Sequence, residues 1–333
     1  MTDRIAGERE LIETYLAPLA AGMPGAFGLR DDAAILTHPA GTDLVVSNDP
    51  VIAGVHFFAN DRADDIAWKA LAVNVSDLVA KGAKPVAYTM ALALPEPPTR
   101  SWMADFVSGL EQAQQAFQCR LIGGDTDLTP GPLSIGITAF GVVEHAKMIP
   151  RDGAKAGDHV FVTGTIGDAA LGLLLHDSSS VRRTGITDGA KSSLVGRYLR
   201  PNPRIQLIDA LREHARAALD VSDGLVKDLG RLVGNAGLEL RVSNVPLSTA
   251  ARAVLAADPK LLETILTGGC DYEVLFSVAP DETSNMRQAA AAAGVKVTDL
   301  GVLSSAARGV SVIGADGTEV SLPRCGYDHF SKL

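Results

Sequence analysis

Apolar positions along the chain change rhythm several times, and each change marks an element. "DLVVSND" (43–49) is rich in β-branched residues and stops at polar ones, which predicts a strand. In "DDIAWKALAVNVSDLVAKGA" (64–83), Ile66, Ala70, Val73 and Leu78 fall near helical spacing, and Gly82 closes the segment. "VAYTMALALP" (86–95) alternates as a strand before a proline-rich turn; 101–118 reads as a helix, 119–122 as a short strand, and "LSIGITAFGVV" (133–143) as a long one. The stretches 43–48, 86–94 and 133–143 are apolar on more than one face, too much for a lone open sheet beside two helices. A two-fold symmetric dimer through this half of the chain is therefore expected.

"PRDGAKAGD" (150–158) is poor in large apolar residues and predicts a boundary between domains 1–149 and 150–333. "HVFVTG" restarts the pattern as a strand, followed by a helix from Asp168. "PNPRIQLIDALREHA" predicts a helix begun by Pro203, and "SDGLVKDLGRLVGNAG" another, capped by Ser222 or Asp223 and stopped by Gly237. Strands follow at 238–242, 272–278 and 295–302, and a closing hairpin turns at Asp316-Gly317. "SSS" (178–180), with Arg182 and Arg183 after it, reads as an exposed loop. The fold class is two α/β domains with mixed sheets.

Composition narrows the function. With 333 residues, 47% hydrophobic and 21% charged, the chain has the make-up of a globular protein with sizeable cores. No window approaches 18 consecutive apolar residues, and the N-terminus is charged throughout, so neither a membrane span nor a signal peptide is expected. Cys119, Cys270 and Cys325 lie far apart without a C-x-x-C, which argues against zinc or disulfides and for a cytoplasmic setting. The net charge of −9, without a basic run, argues against nucleic acid. An acidic protein can still hold a polyanionic nucleotide if divalent cations neutralise both sides.

"GTIGDAALG" (164–172) follows a strand and opens a helix, yet lacks the G-x-G-x-x-G order, and a plain strand-to-helix turn is the better reading. There is no P-loop and no protein-kinase motif set. Short acidic knots recur instead: "RDDAA" (30–34), "SNDP" (47–50), "NVSD" (74–77), "LIGGDTD" (121–127), "DVSDG" (220–224) and "GGCDYE" (268–273). Any one of them reads first as a cap or turn; Asp31 and Asp32 suit a solvated turn, and Asp77 could pair with Lys81 at i+4. Six together, each expected at a strand end, turn or helix start, suggest hard divalent cations, Mg2+ above all, shared with phosphates. Small neighbours such as Gly123, Gly124, Ala33, Ser47 and Ser76 leave room for a polyphosphate. The residues alone point to metal-assisted phosphoryl transfer without a P-loop lysine.

The ordered string "DDAA…SND…GVHF…KALAVNVSDLVAKGAKP…LIGGDT…GDHVFVTG…RPNPR…DVSDGL…GGCDYE…GYDHF" resembles the thiamine-monophosphate kinase family from about residue 7 to 330. The resemblance implies a two-domain fold like that of aminoimidazole ribonucleotide synthetase, and homodimers whose N-terminal domains share a β-barrel. It further implies transfer of the ATP γ-phosphoryl group to thiamine monophosphate with several Mg2+ ions. By match, Asp32, Ser47, Asn48, Asp49, Asp77, Asp125, Asp220 and Asp223 would hold metal, and Gly124, Asp125, Arg151 and Ser222 would meet ATP. His56, Cys270 and Tyr327 would meet the acceptor, with Asp77, Asp125 and Arg151 carrying the catalysis. Three departures stand out: Arg30 replaces the usual Gly before the double Asp, Asn48 a Thr, and Cys270 a Glu. The sister selenophosphate synthetases would call for a Cys near the N-terminus and hydrogenase maturation factors for one at the very C-terminus; this chain has neither. A regulatory protein with a decayed site would have lost carboxylates, and the number intact here argues against it.

Overall fold

Ala63–Ala80 winds into helix α1, and the chain buries it on nearly every side. Ile66, Ala70, Val73 and Leu78 are inside as expected, and so are Ala67, Leu71, Val75 and Val79. A helix buried all round must find partners for every polar residue it carries. Lys69, Asn74 and Ser76 are buried on it, and Asp77 is half-buried.

The computed structural model describes residues 3–177 and 186–330, so the expected loop at 178–180 with Arg182 and Arg183 lies outside the described residues. The chain forms two compact units, residues 1–78 with 83–148, and residues 79–82 with 149–333. In the first, strands β1 (Thr42–Ile52), β2 (Lys84–Leu94), β3 (Arg120–Leu128) and β4 (Ser134–Glu144) form one mixed sheet in the order β1-β4-β2-β3. β4 pairs antiparallel with β1 and β2, while β2 and β3 run parallel. Parallel neighbours need a crossover, here helix α2 (Arg100–Phe117), capped by the Thr99 hydroxyl accepting from the Trp102 N–H.

Two expectations change here. β1 runs through the polar "SNDP" to Ile52, and β3 runs through "GGDTDL" to Leu128. The acidic residues of these knots therefore stand inside strands, where the ladder fixes their directions.

In the second unit, β5 (His159–Thr163), β6 (Ala215–Asp220), β8 (Val274–Val278) and β9 (Val297–Val302) form an antiparallel sheet in the order β6-β8-β5-β9. A parallel pair, β7 (Gly237–Arg241) and β10 (Gly309–Ile313), stands apart. Helices α3 (Asp168–His176), α4 (Asp188–Leu199), α5 (Ile208–His214), α6 (Leu225–Val233), α7 (Thr249–Ala257), α8 (Leu262–Thr267) and α9 (Thr283–Ala292) complete the unit. Its core centres on residues such as Val160, Leu219, Leu229, Leu240 and Leu275.

The helix expected from Pro203 begins as a single 3-10 turn at Ile205, and α5 itself starts only at Ile208. Strand β6 follows it at once, an element the pattern did not reveal. The helix after Ser222 is shorter than expected: Gly224 is its N-cap, with no side-chain cap, and it ends at Val233 before Gly234, leaving Gly237 to open β7. The hairpin at Asp316-Gly317 is borne out, with Gly314 N–H donating to Thr318 O and Val320 N–H to Val312 O. Among the described residues no helix is long and apolar enough to cross a membrane.

Candidate active site

The first unit carries two groupings of the expected residues. Ser47 and Asp49 lie on the face of β1 turned to α1. The Ser47 hydroxyl donates to Asp77 Oδ2 at 2.5 Å. Buried Asn74 clamps the neighbouring backbone: its Oδ1 accepts from Asp49 N–H at 2.8 Å, and its Nδ2 donates to Asp49 O at 3.1 Å. Strand alternation puts Asn48 on the opposite face, where its amide donates to Thr138 Oγ1 at 2.8 Å and Ile137 O at 3.0 Å. The Asn48 side chain therefore leaves the Ser47–Asp77 grouping, away from the residues with which it was expected to hold metal.

The second grouping surrounds a cavity of about 220 Å³ lined by Asp31, Asp32, Gly123, Gly124 and Asp125, with Ile12, Leu16 and Met90 among its apolar walls. Two knots far apart in sequence meet here because β3 bulges: Tyr88 pairs with Leu121 and Thr89 with Gly123, leaving Ile122 as the extra residue. Gly124 then has φ of +154°, and a Cβ on it would lie 1.9 Å from Met90 O. Only glycine fits there. Arg30 adopts φ −112°, the ordinary conformation its side chain requires, and the left-handed residues are Phe27, Gly28 and Leu29 just before it.

His56, half-buried after β1, accepts from Ile52 N–H through Nδ1 at 3.1 Å, which places the proton of the neutral ring on Nε2. Buried Lys69 donates to the His56 carbonyl at 3.0 Å and fixes the loop from below.

In the second unit, β6 delivers Asp220, buried, to a turn at Val221–Gly224 that acts as a hub. Cys270 N–H donates to Ser222 O, Tyr272 N–H to Val221 O, Val221 N–H to Glu273 O and Tyr327 N–H to Asp223 O. Ser222, Asp223, Cys270 and Tyr327 are thus tied together through main chain. The Asp223 carboxylate meets Lys227 at 2.9 Å and Arg231 at 2.8 Å. Any cation at Asp223 would compete with both. In place of the expected Ser222 or Asp223 cap, Asp228 Oδ2 accepts from Asp223 N–H at 3.0 Å. Arg151 is exposed one residue after Pro150, whose carbonyl accepts from Ala218 N–H of β6.

The "GGCDYE" segment alternates in burial. Asp271 and Glu273 are buried, while Cys270 and Tyr272 are half-exposed. Glu273 accepts from Thr163 at 2.6 Å, Arg197 at 2.6 Å and Arg204 at 2.7 and 2.5 Å. Asp271 accepts from Gly167 N–H at 2.8 Å and Ala169 N–H at 3.3 Å. The amides of "GTIGDAALG" that a nucleotide phosphate would need are therefore occupied, in keeping with the plain-turn reading. Burial pushes Asp271 up to about 8, against the opposing pull of those amides and of Arg197; burial also pushes Asp228 up to about 6.

Among the described residues no three or more His, Cys, Asp or Glu side chains are gathered closely enough to hold a metal ion by themselves. The structure groups Ser47, Asp49 and Asp77; Asp32, Gly124 and Asp125; and, in the other unit, Ser222, Asp223, Cys270 and Tyr327.

Residues 30–143 match the N-terminal domain of AIR synthase related protein, and residues 155–314 its C-terminal domain. Thiamine-monophosphate kinase of Caulobacter vibrioides is 40% identical over 327 residues, 97% of this chain and 90% of that protein. The chain belongs to the thiamine-monophosphate kinase family. A crystal structure of the thiamine-monophosphate kinase of Stenotrophomonas maltophilia K279a is 39% identical with a TM-score of 0.79, covering 87% of this chain and 90% of that one. The structure described as AaThiL complexed with AMPPCP and TMP is 30% identical with a TM-score of 0.75 and covers 97% of each chain.

Membership in the kinase family makes the residues that the sequence reading passed over more informative. Lys69 was visible only as a polar interruption of an otherwise apolar helix, and Asn74 opened the quoted "NVSD" knot without any sign that it would clamp Asp49. Asp271 and Glu273 sat inside a quoted knot, but nothing in the string tells a buried anchor from an exposed ligand.

Gly124→Ala should lower the stability of the first unit by at least about 2 kcal/mol, because either the β2–β3 pair or the backbone angle must give. Urea unfolding measures this, and an unchanged midpoint would show that β3 does not approach β2 so closely. A second expectation concerns pH. The folded state keeps the Asp271 proton to about 8, whereas the unfolded chain loses it near the ordinary 3.8, so folding binds the proton in between. Stability should fall as pH rises through that window, with Asp228 adding at its lower end. Thermal unfolding from about pH 5 to about pH 8 should show a shallower decline in Asp271→Asn. A decline as steep as the parent's would contradict the assignment.

Proposed function

We propose that this protein transfers the γ-phosphoryl group of ATP directly to the phosphate of thiamine monophosphate, giving thiamine diphosphate. The observation that carries the reading is full-length similarity to a relative whose structure holds AMPPCP and TMP, joined to a glycine-built acidic strand edge at Gly124 and Asp125. The acceptor oxygen is already anionic near neutral pH, so the site needs no general base. Its task is to align two anions in line and offset their repulsion.

The donors in the first unit are hard oxygens: Asp32, Ser47, Asp49, Asp77 and Asp125. That chemistry fits Mg2+, which is commonly held by one or two carboxylates with phosphates and waters supplying the rest. Bound there, Mg2+ would supply charge neutralisation between the carboxylates and the polyphosphate. Ser47 and Asn74 would hold Asp77 and Asp49 in place, and Gly124 would let the nucleotide meet backbone. Asp220 would add a carboxylate from the second unit, Asp223 another if the cation displaces Lys227 and Arg231, and Asn48 at most its main-chain carbonyl. Arg151 would contribute positive charge to the phosphates and Ser222 a contact to ATP. His56 would donate from Nε2 to the acceptor, alongside Cys270 and Tyr327. Residues 1–149 would form the nucleotide, metal and dimerisation domain, and 150–333 the domain that completes the site.

A homodimer is part of this reading. β1 is an eleven-residue edge strand, and Leu44 and Val46 stand exposed on its outer face. Long edges with exposed apolar residues invite a partner strand. Val46→Glu should convert a dimer into monomers in sedimentation velocity, and a parent chain that is monomeric at micromolar concentration would contradict the dimer.

Incubation of the purified protein with ATP, Mg2+ and thiamine monophosphate, with products separated by chromatography, tests the reaction. Asp77→Asn and Asp125→Asn should each lower turnover at least about 100-fold, the scale of losing one electrostatic group, while far-ultraviolet circular dichroism stays unchanged. Turnover within a few-fold of the parent would remove that residue from the site.

A further inference from the structure

Tyr327 lies outside any strand or helix, yet both of its main-chain polar groups are held at the start of α6. Its N–H donates to Asp223 O at 2.8 Å, and its carbonyl accepts from the Lys227 ammonium. Lys227 Nζ also meets Asp223 Oδ2 at 2.9 Å, so one ammonium bridges the turn and the C-terminal segment. The two run in close contact beside that bridge: a Cβ on Gly326 would lie 2.6 Å from Asp223 O and 2.6 Å from Lys227 Cβ.

The place of this lysine runs against local electrostatics. Lys227 stands in the first turn of α6, where the helix dipole disfavours a cation. Neutralising Asp223 does not require it, because Arg231 reaches the same carboxylate at 2.8 Å and Asp228 at 2.7 Å. Its own pair with Asp223 is partly open to solvent, 27% and 22% exposed, and such a pair adds little to stability. What Lys227 adds, and Arg231 does not, is the bond to the Tyr327 carbonyl. We propose that Lys227 is a positioning residue for the acceptor: by holding that carbonyl to the Asp223 turn, it fixes where the exposed Tyr327 side chain meets thiamine monophosphate. With the main chain held on both sides and the ring set edge-on to His329 at 4.8 Å, Tyr327 has less freedom to lose on binding. The inference rests on the reading of Tyr327 as an acceptor contact.

Steady-state kinetics and thermal unfolding of Lys227→Met, Tyr327→Ala and the double variant test it. Lys227→Met keeps an unbranched stem beside Gly326 and removes the ammonium. It should raise the KM for thiamine monophosphate at least about fivefold and leave kcat and the KM for ATP within about twofold. Its thermal midpoint should stay within about 2 °C of the parent's, since a solvent-facing pair is all that is lost. Tyr327→Ala should raise the acceptor KM as well, and adding Lys227→Met to it should raise that KM by less than about twofold more, because the lysine acts through the tyrosine. An acceptor KM unmoved in Lys227→Met, both KM values raised in proportion, or the full increase repeated on the Tyr327→Ala background would overturn the tether. A parent that does not phosphorylate thiamine monophosphate would overturn the reaction and the tether together. An active parent whose acceptor KM moves in Tyr327→Ala but not in Lys227→Met would overturn the tether alone.

Discussion

The close approach of β3 to β2 at Gly124 decides what the acidic edge of the first sheet can be. With the Met90 carbonyl where a Cβ would stand, no other residue fits, and the bulge at Ile122 aims the following strand so that Asp125 shares a cavity wall with Asp31 and Asp32. Carboxylates brought together in this way repel one another unless something cationic is placed between them. Around it, buried Lys69 donates to the His56 carbonyl, the Ser47 hydroxyl donates to Asp77, and the Asn74 side chain clamps the Asp49 main chain. An acidic, glycine-built strand edge of this kind is suited to receive a nucleotide together with its cations.

The second unit solves a different problem. Its loops must present Ser222, Cys270 and Tyr327 in fixed relation although none lies in a strand or helix. Main-chain hydrogen bonds to the Val221–Gly224 turn set their spacing, and the buried acid side chains of Asp271 and Glu273 bolt the Cys270 segment to α3 and to two arginines. Breaking one partner of such a buried network strands the other, so Glu273, Arg197 and Arg204 stand or fall as a set.

Much of this was legible in the string. The strand–helix alternation, the plain-turn nature of "GTIGDAALG" and the acidic, glycine-rich chemistry all follow from residue type and spacing. What was not legible has physical causes. Polar residues inside β1 and β3 look like strand stops, because alternation rules count hydrophobic faces and break off where one face of a strand turns polar. Strand β6 was hidden because "ARAALD" follows a helix without a turn residue between them. The α6 cap was misplaced because its amide partner is Asp228, within the helix itself. Asn48 needed the register of β1 against β4 before its side chain could be assigned to the far face.

The central claim is that the acidic groupings accept a polyphosphate only in company with a divalent cation. Calorimetric titration of the protein with AMPPCP, in Mg2+ and again in a chelating buffer, tests it most directly. The account predicts binding in Mg2+ and a loss of at least about 100-fold in affinity without it, the effect of leaving close like charges uncompensated. Equal affinity in both buffers would contradict it.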